Sequence, residues 1–217
     1  MKTDHISNED YNTILKQHLE SLKRIRDAAT GLAKGMIGST LYKEDLFFAS
    51  VLNRSLSLLD GFSVMLTSRN LACAGIILRA QLDNCMRLYA SFIADNKSEF
   101  IDRFMEGKRI DKLKDDQGNK MSDYLLRTRL EEYDSRINEV YEKASGYVHL
   151  SNIAFKLSLH EINADSFEFA IGLPLKEDAN EYLIEAAEAF LHYMKLLYFM
   201  LNSVVESKER AEKVVKR

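Results

Sequence analysis

Proline is almost absent from this chain, which has one proline and nine glycines in 217 residues. Both residues weaken helix interiors, proline because it lacks the backbone N–H and glycine because ordering it costs the most conformational entropy. A chain with so few of them has few positions at which a helix must end. The scarcity therefore favours long helices joined by short loops, within one domain that spans residues 1–217 and buries a sizeable core.

Apolar residues recur at helical spacing along most of the chain. From Tyr11 to Met36 they follow a 4-3-4-3 pattern in which His18 is the only polar member. Ser7 stands before this stripe as an N-cap, and Asn70 offers the same start signal for a later helix. The pattern predicts a first helix from about residue 8 and further helices over about 48–66, 71–95, 98–113, 126–147 and from about 177 onwards.

The third predicted helix has large apolar residues on one face and small residues on much of the other. This distribution is typical of a central helix that neighbours enclose, so we expect it to be the most buried one. It carries both cysteines, Cys73 and Cys85, which lie too far apart along a helix for a disulfide bond. We expect both thiols to be reduced and buried.

The apolar period changes after Gly146. Ile153, Phe155, Leu157 and Leu159 alternate with small or polar residues, and the alternation resumes after the turn at 163–165. This predicts a β-hairpin over about 153–171 whose apolar face packs on the bundle or on a second subunit. The expected fold is therefore mainly α: an antiparallel helical bundle with a β-hairpin inserted before the long C-terminal helix.

The third helix also carries charges at helical spacing. Arg79, Asp83 and Arg87 stand at i, i+4 and i+8, and such a trio is costly to desolvate unless each charge is matched. One interpretation is a structural ladder that also ties down a neighbouring helix. The other is an anion-binding or partner-binding cleft lined by two guanidinium groups, to which Arg54 of the second helix would add a third.

A second candidate site lies at the junction of the bundle and the hairpin, in the segment 145–151. His149 can act as an acid or base near neutral pH with Tyr147 assisting by hydrogen bonding, or it can simply satisfy backbone groups. No histidine falls in an HExxH arrangement, and the sequence has neither a CxxC pair nor a glycine-rich phosphate loop. We therefore expect no metal and no cofactor.

The overall charge gives little information about partners. A formal net charge of −3 lacks the basic excess of a generic nucleic-acid binder. The N-terminal residues have no apolar stretch, and the later apolar runs are interrupted by charged residues and histidine. We expect a cytoplasmic protein without membrane contact.

Three segments resemble the HEPN-like helical superfamily: Arg54 with residues 58–62, residues 76–90, and residues 145–151. The resemblance implies an antiparallel bundle that often dimerises and, in many members, a metal-independent ribonuclease of toxin-antitoxin or phage-defence systems. That activity belongs to an arginine separated from a histidine by four to six residues. The corresponding positions before His149 hold Ala144, Lys143 and Glu142, so only a lysine keeps the positive charge.

The leading hypothesis from the sequence is a non-catalytic HEPN-like module, a homodimer, that binds an anionic ligand, RNA or a protein partner. Its site residues would be Arg54, Arg79, Asp83, Arg87 and Tyr147 with His149. The alternative is a divergent ribonuclease in which His149, Lys143 and Arg79 lie near the scissile phosphate. A third hypothesis is a scaffold whose last helix and hairpin serve assembly.

Overall fold

Helices dominate the computed structural model, which describes residues 6–149, 151, 152, 155, 159–163, 166–169, 175 and 179–215. The helices are α1 (Asn8–Ile37), α2 (Lys43–Thr67), α3 (Leu71–Ile93), α4 (Lys97–Met105), α5 (Asp123–Leu130), α6 (Ile137–Val148) and α7 (Asn180–Val215). Two short strands, β1 (Leu159–Asn163) and β2 (Ser166–Phe169), pair antiparallel before α7. The predicted mainly α-helical bundle is confirmed.

The N-termini of α1 and α3 lie where their sequence signals indicate. The Ser7 hydroxyl accepts the Asp10 N–H at 3.1 Å, and the Asn70 side chain accepts the Cys73 N–H at 3.0 Å. Each bond satisfies one backbone donor that the first helical turn leaves free. Both start predictions are confirmed, and α1 ends at Ile37 with Gly38 as its C-cap, whose φ of 58° favours glycine.

The centre of the bundle is α3. It packs against α2, α5, α6 and α7, while α1 packs along α7 and α2. The core is continuous through these helices, and the stacked rings of Phe62 and Phe190, with centroids 4.0 Å apart, join α2 to α7 within it. The central placement of α3 is confirmed.

One side of α3 is nevertheless open to solvent. Ala72 and Cys73 are exposed and Ile76 is 44% exposed, so the expectation that both cysteines are buried is wrong for Cys73. These residues lie in the first turns of α3. Cys85 is fully buried deeper in the helix, where its thiol donates to the Tyr193 carbonyl at 3.3 Å.

The predicted helix over 98–113 is wrong in its extent. Helix α4 ends at Met105 because Gly107 follows with a φ of +81°, a left-handed conformation that ends the helix. A 3-10 turn over Ile110–Lys112 takes up part of the remaining predicted length.

The single helix predicted over 126–147 is also wrong, because it is two helices with a break at 131–136. Asp134 is buried in that break. Its carboxylate accepts the Arg136 N–H at 3.3 Å and lies 3.2 Å from His192 Nε2 of α7. A buried carboxylate needs such partners, and reaching them turns the chain.

The strands cover only part of the predicted hairpin range of 153–171. Its residues 153, 154, 156–158, 164, 165, 170 and 171 lie outside the described residues. Phe155 is helical, exposed and donates its N–H to the Ser151 carbonyl at 2.9 Å, so the prediction that a strand includes residue 155 is wrong.

Candidate functional site

Arg79 is the centre of a polar cluster where α3 faces α5 and α6. Its side chain is only 13% exposed. One terminal nitrogen pairs with Asp83 one turn further along α3, and the other donates to the Tyr141 hydroxyl of α6. The Nε–H donates to the Ser145 hydroxyl at 3.2 Å. Every nitrogen of this guanidinium therefore has a partner, and the side chain is held in one orientation.

Asp123 joins the two arginines of the predicted trio. One oxygen of its carboxylate accepts from Arg87, and the other lies 3.6 Å from Arg79 Nη2 and accepts the Tyr141 hydroxyl at 3.3 Å. Arg87 is thus paired across helices with α5. The intrahelical ladder is present between Arg79 and Asp83, and the tie to a neighbouring helix runs through Arg87 and Asp123.

The Tyr141 ring lies between two guanidinium groups. The Arg79 carbon Cζ is 3.8 Å from the ring centroid, and that of Arg127 is 3.9 Å from it. At these distances the two groups must occupy opposite faces of the ring. Each cation is attracted by the negative face it covers, so Tyr141 holds two like charges near one another.

The cluster keeps its arginine charged and its tyrosine neutral. Burial alone would lower the pKa of Arg79, but the hydrogen bond and charge of Asp83, with Tyr141 and Asp123, more than offset it and raise that pKa. Burial raises the pKa of Tyr141, and the nearby carboxylates add to this while the two arginines oppose it. The Tyr141 hydroxyl therefore remains a hydrogen-bond donor at neutral pH.

A surface cavity of about 300 Å³ opens beside this cluster. We call it the His149 cavity, and its lining residues are Ile76, Arg79, Ala80, Asp83, Tyr141, Ser145, Val148 and His149. His149 is the C-cap of α6, is exposed, and donates its N–H to the Ser145 carbonyl at 3.2 Å. Three of the predicted site residues, Arg79, Asp83 and His149, thus share one open cavity.

Lys143 and Tyr147 lie elsewhere on α6. Lys143 pairs with Glu139 at 3.0 Å and with Glu185 of α7, and these bonds raise its pKa. Together with Tyr147 it lines a different cavity, between α6 and α7. The structure therefore does not place Lys143 in the cavity that His149 lines.

Arg54 and Arg87 are not among the residues that line the His149 cavity. Arg54 is exposed and donates to the Asn84 side chain at 3.4 Å, on the side of α3 that faces α2. Arg87 lines a neighbouring open cavity of about 630 Å³ together with Asp123 and Lys108. The predicted cleft with three convergent guanidinium groups is therefore not the observed arrangement.

Sequence reasoning did not identify Asp123, Tyr141 and Arg127 as members of this cluster. The net charge of the trio on α3 could have indicated a further acidic partner. Two arginines and one aspartate on a largely buried helix leave one positive charge that a carboxylate from another helix must match. Asp123 directly follows Ser122, a good N-cap, and so begins a helix that can bring a carboxylate to α3. No comparable signal singles out Tyr141.

Among the described residues, no group of three or more histidine, cysteine, aspartate or glutamate side chains is placed to hold a metal ion. Within the same part of the chain, no helix combines the length and apolar character needed to span a bilayer.

No protein-family model matches the chain, and neither a curated protein nor a solved structure matches it.

Proposed function

We propose that this protein is a non-catalytic HEPN-like module that binds an anionic group of a ligand or partner in the His149 cavity. The observation that carries the proposal is the fixed Arg79 guanidinium beside His149 in an opening large enough for a small charged group. A side chain already held by Tyr141 and Ser145 loses little further entropy when a ligand binds.

The charges of the cluster are balanced, so an anion would be recognised by Arg79 and His149 at the opening and not by an excess of positive charge. Three arginines face three carboxylates there, because Glu142 pairs with Arg127 at 2.8 Å, and the local sum is 3 − 3 = 0. Asp83 opposes an approaching anion, but its charge is already matched by Arg79. The exposed imidazole of His149 lies at the open edge, where it can donate a hydrogen bond to an anionic group.

Fluorescence anisotropy with a labelled single-stranded RNA oligonucleotide in metal-free buffer tests the proposal, with competition by inorganic phosphate. His149→Ala and Arg79→Lys should each weaken RNA binding about tenfold. Arg54→Ala is the matched control, because it removes an exposed arginine outside the cavity. Absence of binding by the wild-type protein, or an equal loss in Arg54→Ala, would refute an anion site at His149.

The second candidate is a metal-independent ribonuclease, which one observation favours. The sequence has no arginine at the family position before His149, yet Arg79 reaches from α3 to hydrogen-bond Ser145, next to that position. An arginine and a histidine therefore line the same cavity. The pairing of Lys143 with Glu139 and Glu185 weighs against its participation in cleavage.

The anisotropy samples also decide between the two candidates when they are analysed on a denaturing gel. Intact RNA after prolonged incubation supports a binding module. Cleavage that disappears in His149→Ala supports the ribonuclease, whereas cleavage that this variant leaves unchanged would point to a contaminating nuclease.

Homodimerisation is part of the proposal. Leu41, Tyr42 and Leu46 are 58%, 54% and 49% exposed at the junction of α1 and α2, which leaves a local apolar surface at one end of the bundle. Such a patch is costly in water unless it is covered. Light scattering over a dilution series checks this, and a protein that stays monomeric at high concentration would contradict it.

A further inference from the structure

A second cavity lies between α6 and α7, separate from the His149 cavity. Its volume is about 120 Å³, and both α6 and α7 pack on α3 around it. We call it the Tyr147 cavity, and its lining residues are Leu78, Val140, Lys143, Ala144, Tyr147, Tyr182, Glu185, Ala186 and Ala189. Apart from one ion pair and two tyrosine hydroxyls, every lining side chain is apolar.

The cavity exists because three positions that face it carry alanine. Ala144 and Ala186 are buried, and Ala189 is partly buried, at positions that belong to the inward stripes of their helices. In a tightly packed seam such positions hold larger side chains that interdigitate. An unfilled apolar cavity lowers the stability of the fold. Larger side chains at these three positions would fill the space, so stability alone does not explain why they are alanines.

One wall of the cavity is held in place by a glycine inside α3. A Cβ added at Gly75 would lie 2.3 Å from Cδ2 of the Tyr147 ring. Only glycine lets the ring lie this close to the α3 backbone, although glycine inside a helix is unfavourable. The position of the aromatic wall therefore depends on a residue that costs helix stability.

The polar groups at the edge of the cavity leave no free charge for a ligand. Lys143 is paired with Glu185, and both side chains are about half exposed. Burial raises the pKa of Tyr147, with the Glu185 charge adding to it, so the phenol stays neutral. An ionic ligand would have to break the Lys143 pair, whereas a neutral one would not.

We propose that the Tyr147 cavity is a binding site for a small, neutral aromatic molecule of about one or two fused rings. Apolar protein cavities of roughly 150 Å³ accept benzene, so a space of about 120 Å³ holds at most one ring, and a second ring would extend past the half-exposed Lys143–Glu185 edge. Tyr147 and Tyr182 supply ring faces for it, and the alanines supply a flat apolar surface. This site is independent of the anion site at His149, and either can fail without the other.

Indole is a suitable probe, with benzoate as an anionic comparison of similar size. The full chain should bind indole saturably, and amide shifts in NMR spectra should centre on residues 140–147 and 182–189. Benzoate should bind at least about tenfold more weakly, because the described residues that line the cavity include no unpaired cation. Absence of saturable indole binding, or shifts centred on other helices, would overturn the site.

Ala189→Leu fills the cavity from its partly exposed side and should weaken indole binding at least about tenfold. Ala72→Leu is the matched control, since it adds the same side chain at an exposed position of α3 and should bind indole as the wild type does. If Ala189→Leu proves unstable, Ala186→Val provides a smaller filling change with the same expected loss. Undiminished binding by a folded cavity-filling variant would refute the proposal.

Discussion

Gly75→Ala gives a direct test of how α3 and α6 pack. The added methyl group would lie 2.3 Å from Cδ2, 2.4 Å from Cγ and 2.8 Å from Cβ of Tyr147, so the ring must leave its place. Losing part of the ring's burial and forcing a new packing costs about 2–3 kcal/mol. Alanine gains about 1 kcal/mol over glycine in a helix interior. The free energy of unfolding should therefore fall by about 1–2 kcal/mol.

Gly31→Ala provides the matched control within α1. No atom of the described residues lies within 4 Å of a Cβ built at Gly31, so the same substitution there brings only the gain in helix propensity. We expect it to raise the free energy of unfolding by about 0.5–1 kcal/mol. The two substitutions should therefore shift stability in opposite directions.

Urea unfolding followed by circular dichroism measures both changes, and thermal melts should show a fall of roughly 2–8 °C for Gly75→Ala. In a Tyr147→Ala background the same substitution should cost at least about 1 kcal/mol less, since the ring atoms that make the two shortest contacts are gone. If Gly75→Ala matches or exceeds wild-type stability, the Tyr147 ring does not lie against α3.

Three further predictions concern charge, pH and thiol access. Asp123→Ala should lower the free energy of unfolding in urea by about 1–2 kcal/mol, because two partly buried guanidinium groups lose their shared carboxylate. The control Asp27→Ala should cost much less, since its surface ion pair contributes less than about 0.5 kcal/mol. Equal losses in the two variants would contradict the prediction. Burial raises the pKa of Tyr198 to about 12 from 10.0, so the unfolded chain releases this proton first and stability should fall by up to about 1.4 kcal/mol per pH unit between pH 10 and 12. Tyr198→Phe should reduce that slope in urea titrations, and an unchanged slope would refute the assignment. Dithionitrobenzoate should react with the exposed Cys73 in the native protein and with Cys85 only after denaturation. Two rapidly reacting thiols in the native protein would show that Cys85 is not buried.

The parts of the fold that follow from neighbouring residues could be predicted from the sequence. Ser7 and Asn70 each cap a helix through a backbone N–H three residues away, and such a bond forms whatever packs around it. The break at 131–136 could not be predicted in this way. Its cause is the burial of Asp134 next to His192, a contact between residues 58 positions apart (192 − 134) that the heptad-like spacing does not reveal.

In the candidate site, too, some features follow from neighbouring residues in the sequence and others depend on contacts between distant helices. The positions of Arg79, Asp83 and Arg87 on one side of a helix follow from spacing alone, and the Arg79–Asp83 pair forms as that spacing predicts. Which carboxylate Arg87 contacts is decided by the placement of α5, and the ring that separates Arg79 from Arg127 comes from α6. A single helix can indicate that its charges need partners, but the supporting helices determine which partners they find.

Helix α6 also determines which variant is most informative about function. Arg79 holds α3, α5 and α6 together, so its truncation to alanine would disturb packing and binding at once. His149 caps the end of α6, and within the described residues its hydrogen bond runs from the backbone N–H and not from the imidazole. Replacing that imidazole leaves the hydrogen bonds of the Arg79 cluster intact while removing an exposed polar side chain from the edge of the cavity. A loss of binding in His149→Ala with unchanged stability would therefore report on recognition, whereas the same loss in Arg79→Ala would not distinguish recognition from folding.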